Sequence, residues 1–285
     1  MESKADIPYV VGSKNPLAVA INCAAKAGEW IKSRQGDIKA VNEKFSPQDL
    51  VTDVDKGAEA MIRKLILTHF PSHQILGEEG VAPGAAASAA ALAASQDSEF
   101  LWIVDPLDGT TNFVHGFPFF CVSIALAYKG EVIIGVIYDP TRDEMFVAEK
   151  GKGSYMHGHT NRVSPDTRLE KSIIAVGFNP DPLAAPINLK GITALSDKAR
   201  SLRAGGSAAL HLAYVAAGRL GGYYEVNLNA WDSAAGALMV KESGGLVTDT
   251  AGNPYHIGVR NVIASNSSIH QELLEVIKTS GATGN

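Results

Sequence analysis

The stretch Trp102-Ile103-Val104-Asp105-Pro106-Leu107-Asp108-Gly109-Thr110-Thr111-Asn112 decides how this chain is read. Its three leading apolar residues read as the end of a buried strand. Pro106 has no N–H and its ring keeps Asp105 out of the α region, so the strand is expected to end at Asp105. Gly109 permits a sharp turn, and Thr110-Thr111 can open a helix. Two carboxylates, hydroxyls and free amides around one turn suit a hard cation and a phosphate. The alternative is a plain strand–loop–helix junction with solvent-facing acids.

Other acids at element ends favour the first reading. Asp53 and Asp55 come just before an amphipathic helix in which Ala58, Met61, Ile62, Leu65 and Ile66 repeat at helical spacing. Gly77-Glu78-Glu79-Gly80 follows the apolar pair Ile75-Leu76, and Trp231-Asp232 opens a small-residue helical run from Ser233 to Val240. One Asp at a helix start is ordinary capping. Several acids placed this way make an oxygen-rich candidate metal site.

The 285 residues allow one large domain or two intimately packed ones. A hydrophobic fraction of 46% with 19% charged residues is that of a globular chain, not a disordered one. The net charge of −5 and the absence of a Lys/Arg stripe point away from nucleic acid as a partner. Cys23 and Cys121 give neither a disulfide framework nor zinc spacing and are expected to be buried free thiols. No apolar stretch is long enough for a membrane span, and no signal-like segment opens the chain. A cytoplasmic protein without membrane contact is the expectation.

Apolar spacing predicts a first helix over 15–33 and a second after Asp55, with an Ala/Ser-rich surface excursion between Val81 and Ser98. Strands are expected over 100–104, 121–128, 132–138, 144–148 and 172–176. A helix over 207–217, strand Tyr223-Tyr224-Glu225, the Trp231-Asp232 helix, strand Leu246-Val247-Thr248, a strand over 262–265 and a last helix through Ile269, Leu273, Leu274 and Ile277 complete the order. His157-Gly158-His159 reads as a turn, Trp30 as a helix-packing residue, and Phe117-Pro118-Phe119-Phe120 as a buried turn into a strand. A soft boundary near 155–170 divides the chain into halves 1–160 and 161–285. The active site is expected between them, because Asp232 otherwise has no acidic partners.

Gly77-Glu78-Glu79, Asp105-Pro106-Leu107-Asp108-Gly109-Thr110-Thr111-Asn112-Phe113 and Trp231-Asp232-Ser233-Ala234-Ala235-Gly236 occur in that order, with Asp55 ahead of them. In these motifs, and over nearly its whole length, the chain resembles the inositol monophosphatase family of magnesium-dependent phosphomonoesterases. The resemblance implies a layered αβαβα sandwich of the sugar phosphatase type. The first half would be α+β, with a large antiparallel sheet and most metal ligands. The second would be α/β, with a smaller mixed sheet supplying Asp232 and substrate contacts.

The resemblance also implies site roles. Glu78, Asp105, Asp108, Asp232 and the Leu107 carbonyl would ligate two or three Mg²⁺ ions per subunit. Glu78 and Thr110, the latter assisted by Asp55, would serve the attacking water, and the Gly109 and Thr110 amides would hold phosphate beside Asp108. Glu225 and the Ala208 backbone would contact the alcohol, and Lys44 would sit on a mobile segment near the metals. Gly222 and Asn229 depart from relatives that carry an acid and a histidine there. The implied activity is hydrolysis of inositol monophosphates, small phosphorylated polyols, by a lithium-sensitive homodimer using directly attacking water. Rival readings are a phosphatase for histidinol phosphate or another small alcohol phosphate, a nucleotide 3′-phosphatase, and a weakly catalytic interaction protein.

Overall fold

The computed structural model describes residues 15–35, 41–43, 50–95, 97–178 and 181–284. Helix α1 (Pro16–Ser33) begins where Asn15 caps it, its side chain accepting the Leu17 N–H at 2.8 Å, with Pro16 in the first turn. The short antiparallel pair β1 (Val41–Glu43) and β2 (Leu50–Thr52) leads to α2 (Asp53–His69). That helix starts three residues before the expected point, so Asp53 and Asp55 occupy its first turn, where the helix dipole favours acids. Strand β3 (Gln74–Gly77) runs into a 3₁₀ turn over Glu78–Gly80, and α3 (Ala85–Ala94) orders most of the Ala/Ser tract.

Next come β4 (Phe100–Asp108), α4 (Thr110–Val114), β5 (Cys121–Tyr128), β6 (Glu131–Asp139), β7 (Glu144–Glu149), β8 (Gly153–Met156) and β9 (His159–Thr160). Strands β3 to β9 form a seven-stranded sheet in chain order, antiparallel except for the parallel β3–β4 pair. Phe120 is buried as read, but Phe117 is 54% exposed, so the expected buried turn is buried only at its end. Cys23 and Cys121 are free and buried.

The second sheet is built from β10 (Ile173–Val176), α5 (Ala185–Ser196), β11 (Ser201–Arg203), α6 (Ala208–Ala216), β12 (Gly222–Glu225), α7 (Ala230–Glu242), β13 (Gly245–Asp249), β14 (Val262–Asn266) and α8 (His270–Thr279). Its five strands lie in the order β11-β10-β12-β14-β13, parallel around β10 and antiparallel around β14.

Side-chain alternation along the strands sets the layers. Trp102 and Val104 of β4, with Ile124 and Leu126 of β5, meet Cys23, Ala27, Ile31, Ile62 and Ile66 of α1 and α2. Leu101 and Ile103 face the other way and join Leu212, Ala213, Ala234 and Leu238 of α6 and α7. That helix pair also covers Tyr223, Val247 and Ala264 of the smaller sheet. The far face of that sheet, through Ile174, Tyr224 and Ile263, packs on Leu195, Leu273 and Ile277 of α5 and α8. The result is an α–β–α–β–α stack.

Helix α7 is sandwiched between the sheets, and its residues from Ser233 to Val240 are all buried. Gly236 lets it approach α6, since a Cβ there would lie 2.4 Å from that of Leu212. Among the described residues no helix is long and apolar enough to cross a membrane.

Candidate active site

Strand β4 does not end at Asp105; it absorbs Pro106 in a β-bulge and continues to Asp108. Asp105 pairs with Ser123 and Asp108 with Cys121, so Pro106 and Leu107 together oppose Val122 alone. A residue without an N–H is tolerated where the ladder is already interrupted. In an unbroken strand, residues three apart point to opposite faces. The extra residue instead returns Asp105 and Asp108 to one face, opposite Ser123 and Cys121. That face looks onto α7, where the Ser123 hydroxyl donates to the Trp231 carbonyl at 3.3 Å.

Beyond the bulge the chain turns through Gly109, at φ 97° and ψ 36°. A side chain would be strained there, and its Cβ would press on the Phe119 carbonyl at 3.0 Å. The Leu107 amide donates to Asp105 Oδ1 at 3.0 Å. Thr110 Oγ1 lies 3.0 Å from both Asp55 Oδ1 and the Leu107 carbonyl, tying α2 to the turn. Asp55 is itself buried.

The second sheet's helices close on these acids. Asp108 Oδ2 accepts the Ser207 hydroxyl at 2.6 Å and the Ala209 amide at 2.7 Å, and the Ala208 amide also donates to this carboxylate. Asp232 stands in the first turn of α7 within a capping box, accepting the Asn229 amide at 2.7 Å. Glu78 arrives because β3 lies parallel to β4 with Gly77 beside Val104, and its carboxyl hydrogen-bonds that of Asp105.

Charge is concentrated here. Asp105, 2% exposed, is pushed well above the usual carboxylate range by burial first and then by Glu78, Asp108 and Asp232. Burial also raises Asp108 to about 6, against the opposing hydrogen bonds from Ser207 and Ala209. Asp232 is raised by burial and by Asp108.

Among the described residues no three acidic, histidine or cysteine side chains are already drawn together as an ion cage. The donor chemistry nevertheless fits a hard divalent cation: four carboxylates within electrostatic reach, plus a carbonyl oxygen with a lone pair to spare. The repulsion that burdens Asp105 would be reversed by a cation among these oxygens.

Glu225 ends β12 on the same side and feels Asp108, as Asp232 in turn feels Glu225. Burial pushes it up to about 7, against the hydrogen bond it receives from the Tyr223 hydroxyl. Its carboxyl occupies the space beside Gly177, where a Cβ would lie 1.7 Å from the Glu225 Cδ.

Asp55, Glu78, Asp105, Leu107, Asp108, Gly109, Thr110, Ala208 and Asp232 thus meet at one place, with Glu225 alongside. Lys44 lies outside the described residues, as do Asn179 and Pro180 of the loop after Gly177. Gly222 packs against Leu273 and Ala264 inside the small sheet, where an added Cβ would lie 3.0 Å from Leu273 Cδ2 and 3.1 Å from the Ala264 carbonyl, so a side chain would require its neighbours to shift.

Sequence reasoning missed several supports. Asn112 Nδ2 donates to the carbonyls of Phe119 at 2.6 Å and Gly205 at 2.7 Å, and the Gly205 amide donates to His211 Nε2 at 3.0 Å. Ser207 carried a readable signal, since a serine ahead of an apolar helical run is a capping pattern. Its use as an Asp108 donor did not.

Comparisons with known proteins bear on the fold and the family. A family model described as the inositol monophosphatase family matches residues 14–282. Inositol monophosphatase 2 of Solanum lycopersicum is 42% identical over 265 residues, 92% of this chain and 97% of that one. The Nus factor SuhB of Pseudomonas aeruginosa is 39% identical over 269 residues, covering 92% and 95% of the two chains. The solved Thermotoga maritima IMPase superposes with a TM-score of 0.83 at 35% identity, over 94% of this chain and 99% of that one. The chain therefore belongs to the inositol monophosphatase family, a family of phosphoric monoester hydrolases.

Proposed function

We propose that the protein hydrolyses inositol monophosphates to inositol and inorganic phosphate, using Mg²⁺ and directly attacking water. The observation that carries this reading is the convergence of Glu78, Asp105, Asp108 and Asp232 beside the Thr110–Asp55 hydrogen bond. The family is generally magnesium-dependent. One ion would be held by Glu78, Asp105 and the Leu107 carbonyl, a second by Asp105, Asp108 and Asp232, and a weaker third near Glu78. Bound Mg²⁺ supplies Lewis-acid stabilisation of phosphate charge and a more acidic water.

The chain's own groups do the positioning. When the Thr110 hydroxyl donates to Asp55 Oδ1, its lone pairs accept an O–H of the water and turn the water's oxygen toward phosphorus. The Gly109 and Thr110 amides donate to phosphate oxygens, placing the ester bond opposite the water for in-line displacement. Glu225, held by Tyr223, accepts hydroxyls of the alcohol. Attack forms one O–P bond as the ester O–P bond breaks, with no phosphoenzyme. The homodimer and cytoplasmic setting expected from sequence belong to the same reading.

Relatives named Nus factor SuhB support a second reading, an interaction role beside catalysis. A metal-controlled kinetic comparison of inositol monophosphates, histidinol phosphate and a nucleotide 3′-phosphate tests the first. Mg²⁺-dependent turnover favouring inositol monophosphates is expected. Preference for either competitor would reassign the substrate, and no turnover of any ester would leave the interaction role.

A further inference from the structure

Glu59 lies one helical turn beyond Asp55 on α2 and is 6% exposed, yet it does not point its charge at the other acids. Its Oε1 is paired with Arg63 Nη2 at 3.0 Å, while Oε2 accepts the Glu79 amide at 2.8 Å. Gly77 borders the same carboxylate. Its backbone, at φ −114° and ψ 149°, is ordinary extended chain open to any residue, so glycine is needed there for space and not for conformation. A Cβ on Gly77 would lie 2.5 Å from both Cδ and Oε2 of Glu59.

The carboxylate therefore fills a notch between the two residues that flank Glu78. The turn it touches is short, closed by the Val81 amide on the Glu78 carbonyl at 3.1 Å, and such 3₁₀ pieces hold their geometry weakly alone. We infer that Glu59 is a positioning residue, whose clamp on Gly77 and the Glu79 amide seats the turn so that Glu78 reaches Asp105. The inference rests on the reading of Glu78 as a metal ligand. Arg63 neutralises Glu59 locally, which suits a brace and not a ligand.

The test is calorimetric titration of Mg²⁺ into the metal-free full-length protein without substrate, with thermal melts of each variant. Glu59→Ala should weaken Mg²⁺ binding about tenfold or more, the usual loss when a partner of a metal ligand is removed. Glu59→Gln, whose amide carbonyl can still accept the Glu79 N–H, should restore most of it. Gly77→Ala should weaken binding in the same direction, by pushing the carboxylate aside. Combining it with Glu59→Ala should add nothing, because the notch is then empty.

Wild-type Mg²⁺ affinity in Glu59→Ala, with loss in Glu78→Gln, would overturn the positioning role. Undiminished binding in Glu78→Gln would overturn the ligand reading itself. If Glu59→Ala does not fold, unaltered affinity in Gly77→Ala overturns the role equally.

Discussion

Protonation of His211 should cost the protein about 2 kcal/mol of stability between pH 7.5 and 5. The ring is 2% exposed, lies between Phe119 and Tyr223, and accepts the Gly205 amide through Nε2, so it must be neutral in the fold. Burial holds its pKa down to about 3 from an ordinary 6.5. The unfolded chain thus takes a proton below pH 6.5 that the folded chain refuses until about pH 3. Stability from this group is present above 6.5 and is lost as pH falls toward 3.

Linkage gives a slope approaching 1.4 kcal/mol per pH unit inside that window, hence about 2 kcal/mol at pH 5 and almost nothing at 7.5. The assay is urea unfolding of the wild type and His211→Gln at both pH values with chelator present. The glutamine carbonyl can accept from Gly205 but does not titrate, and the difference between the proteins cancels every other group. The wild-type advantage should shrink by about 2 kcal/mol on acidification. A difference constant to within about 0.5 kcal/mol would refute the reasoning.

Asp108→Asn should nearly abolish turnover while raising the melting temperature of the metal-free protein. Its carbonyl can keep the Ser207 and Ala209 bonds, and at neutral pH the raised pKa makes the native charge a burden; near-native turnover in kinetics, or a lowered melting temperature, would count against this. Glu225→Gln should lower kcat/KM for the preferred alcohol phosphate by about 1–3 kcal/mol, with Mg²⁺ binding intact by calorimetry. Equal loss on all esters with weakened Mg²⁺ binding would move Glu225 into the metal shell. Lithium should inhibit the magnesium-supported reaction more deeply as substrate rises, read from initial rates with sodium as control. Relief by substrate would show that it excludes substrate instead.

Much of this was legible in the chain. Strands 121–128 and 132–138 announced themselves by continuous apolar runs, and the acids by standing at element ends. Helix α5 escaped because its buried face is Asn188, Gly191 and Leu195, a face that carries no hydrophobic period. The bulge escaped because proline after Asp105 argues equally for a strand's end. Contacts such as Ser207 on Asp108 join residues 99 apart, and no local pattern encodes them. The structure uses Gly77 and Gly177 as space for the carboxyls of Glu59 and Glu225, a long-range fit that no local pattern announces.

The bulge in β4 makes the distance between Asp105 and Asp108 along the chain a structural quantity in its own right. Straightening the bulge with both intervening residues kept would restore strict alternation and carry the second carboxylate through the sheet, toward the hydrocarbon of α1 and α2. Deleting one of them would instead leave the two acids two apart and still on one face. Any protein that keeps these two acids three apart on this strand must therefore keep the bulge, even where it changes the residues within it. Leu107, the residue in the bulge, serves both faces of the sheet at once: its buried side chain joins the α1–α2 core while its amide and carbonyl tie Asp105 and Thr110 on the side of the acids.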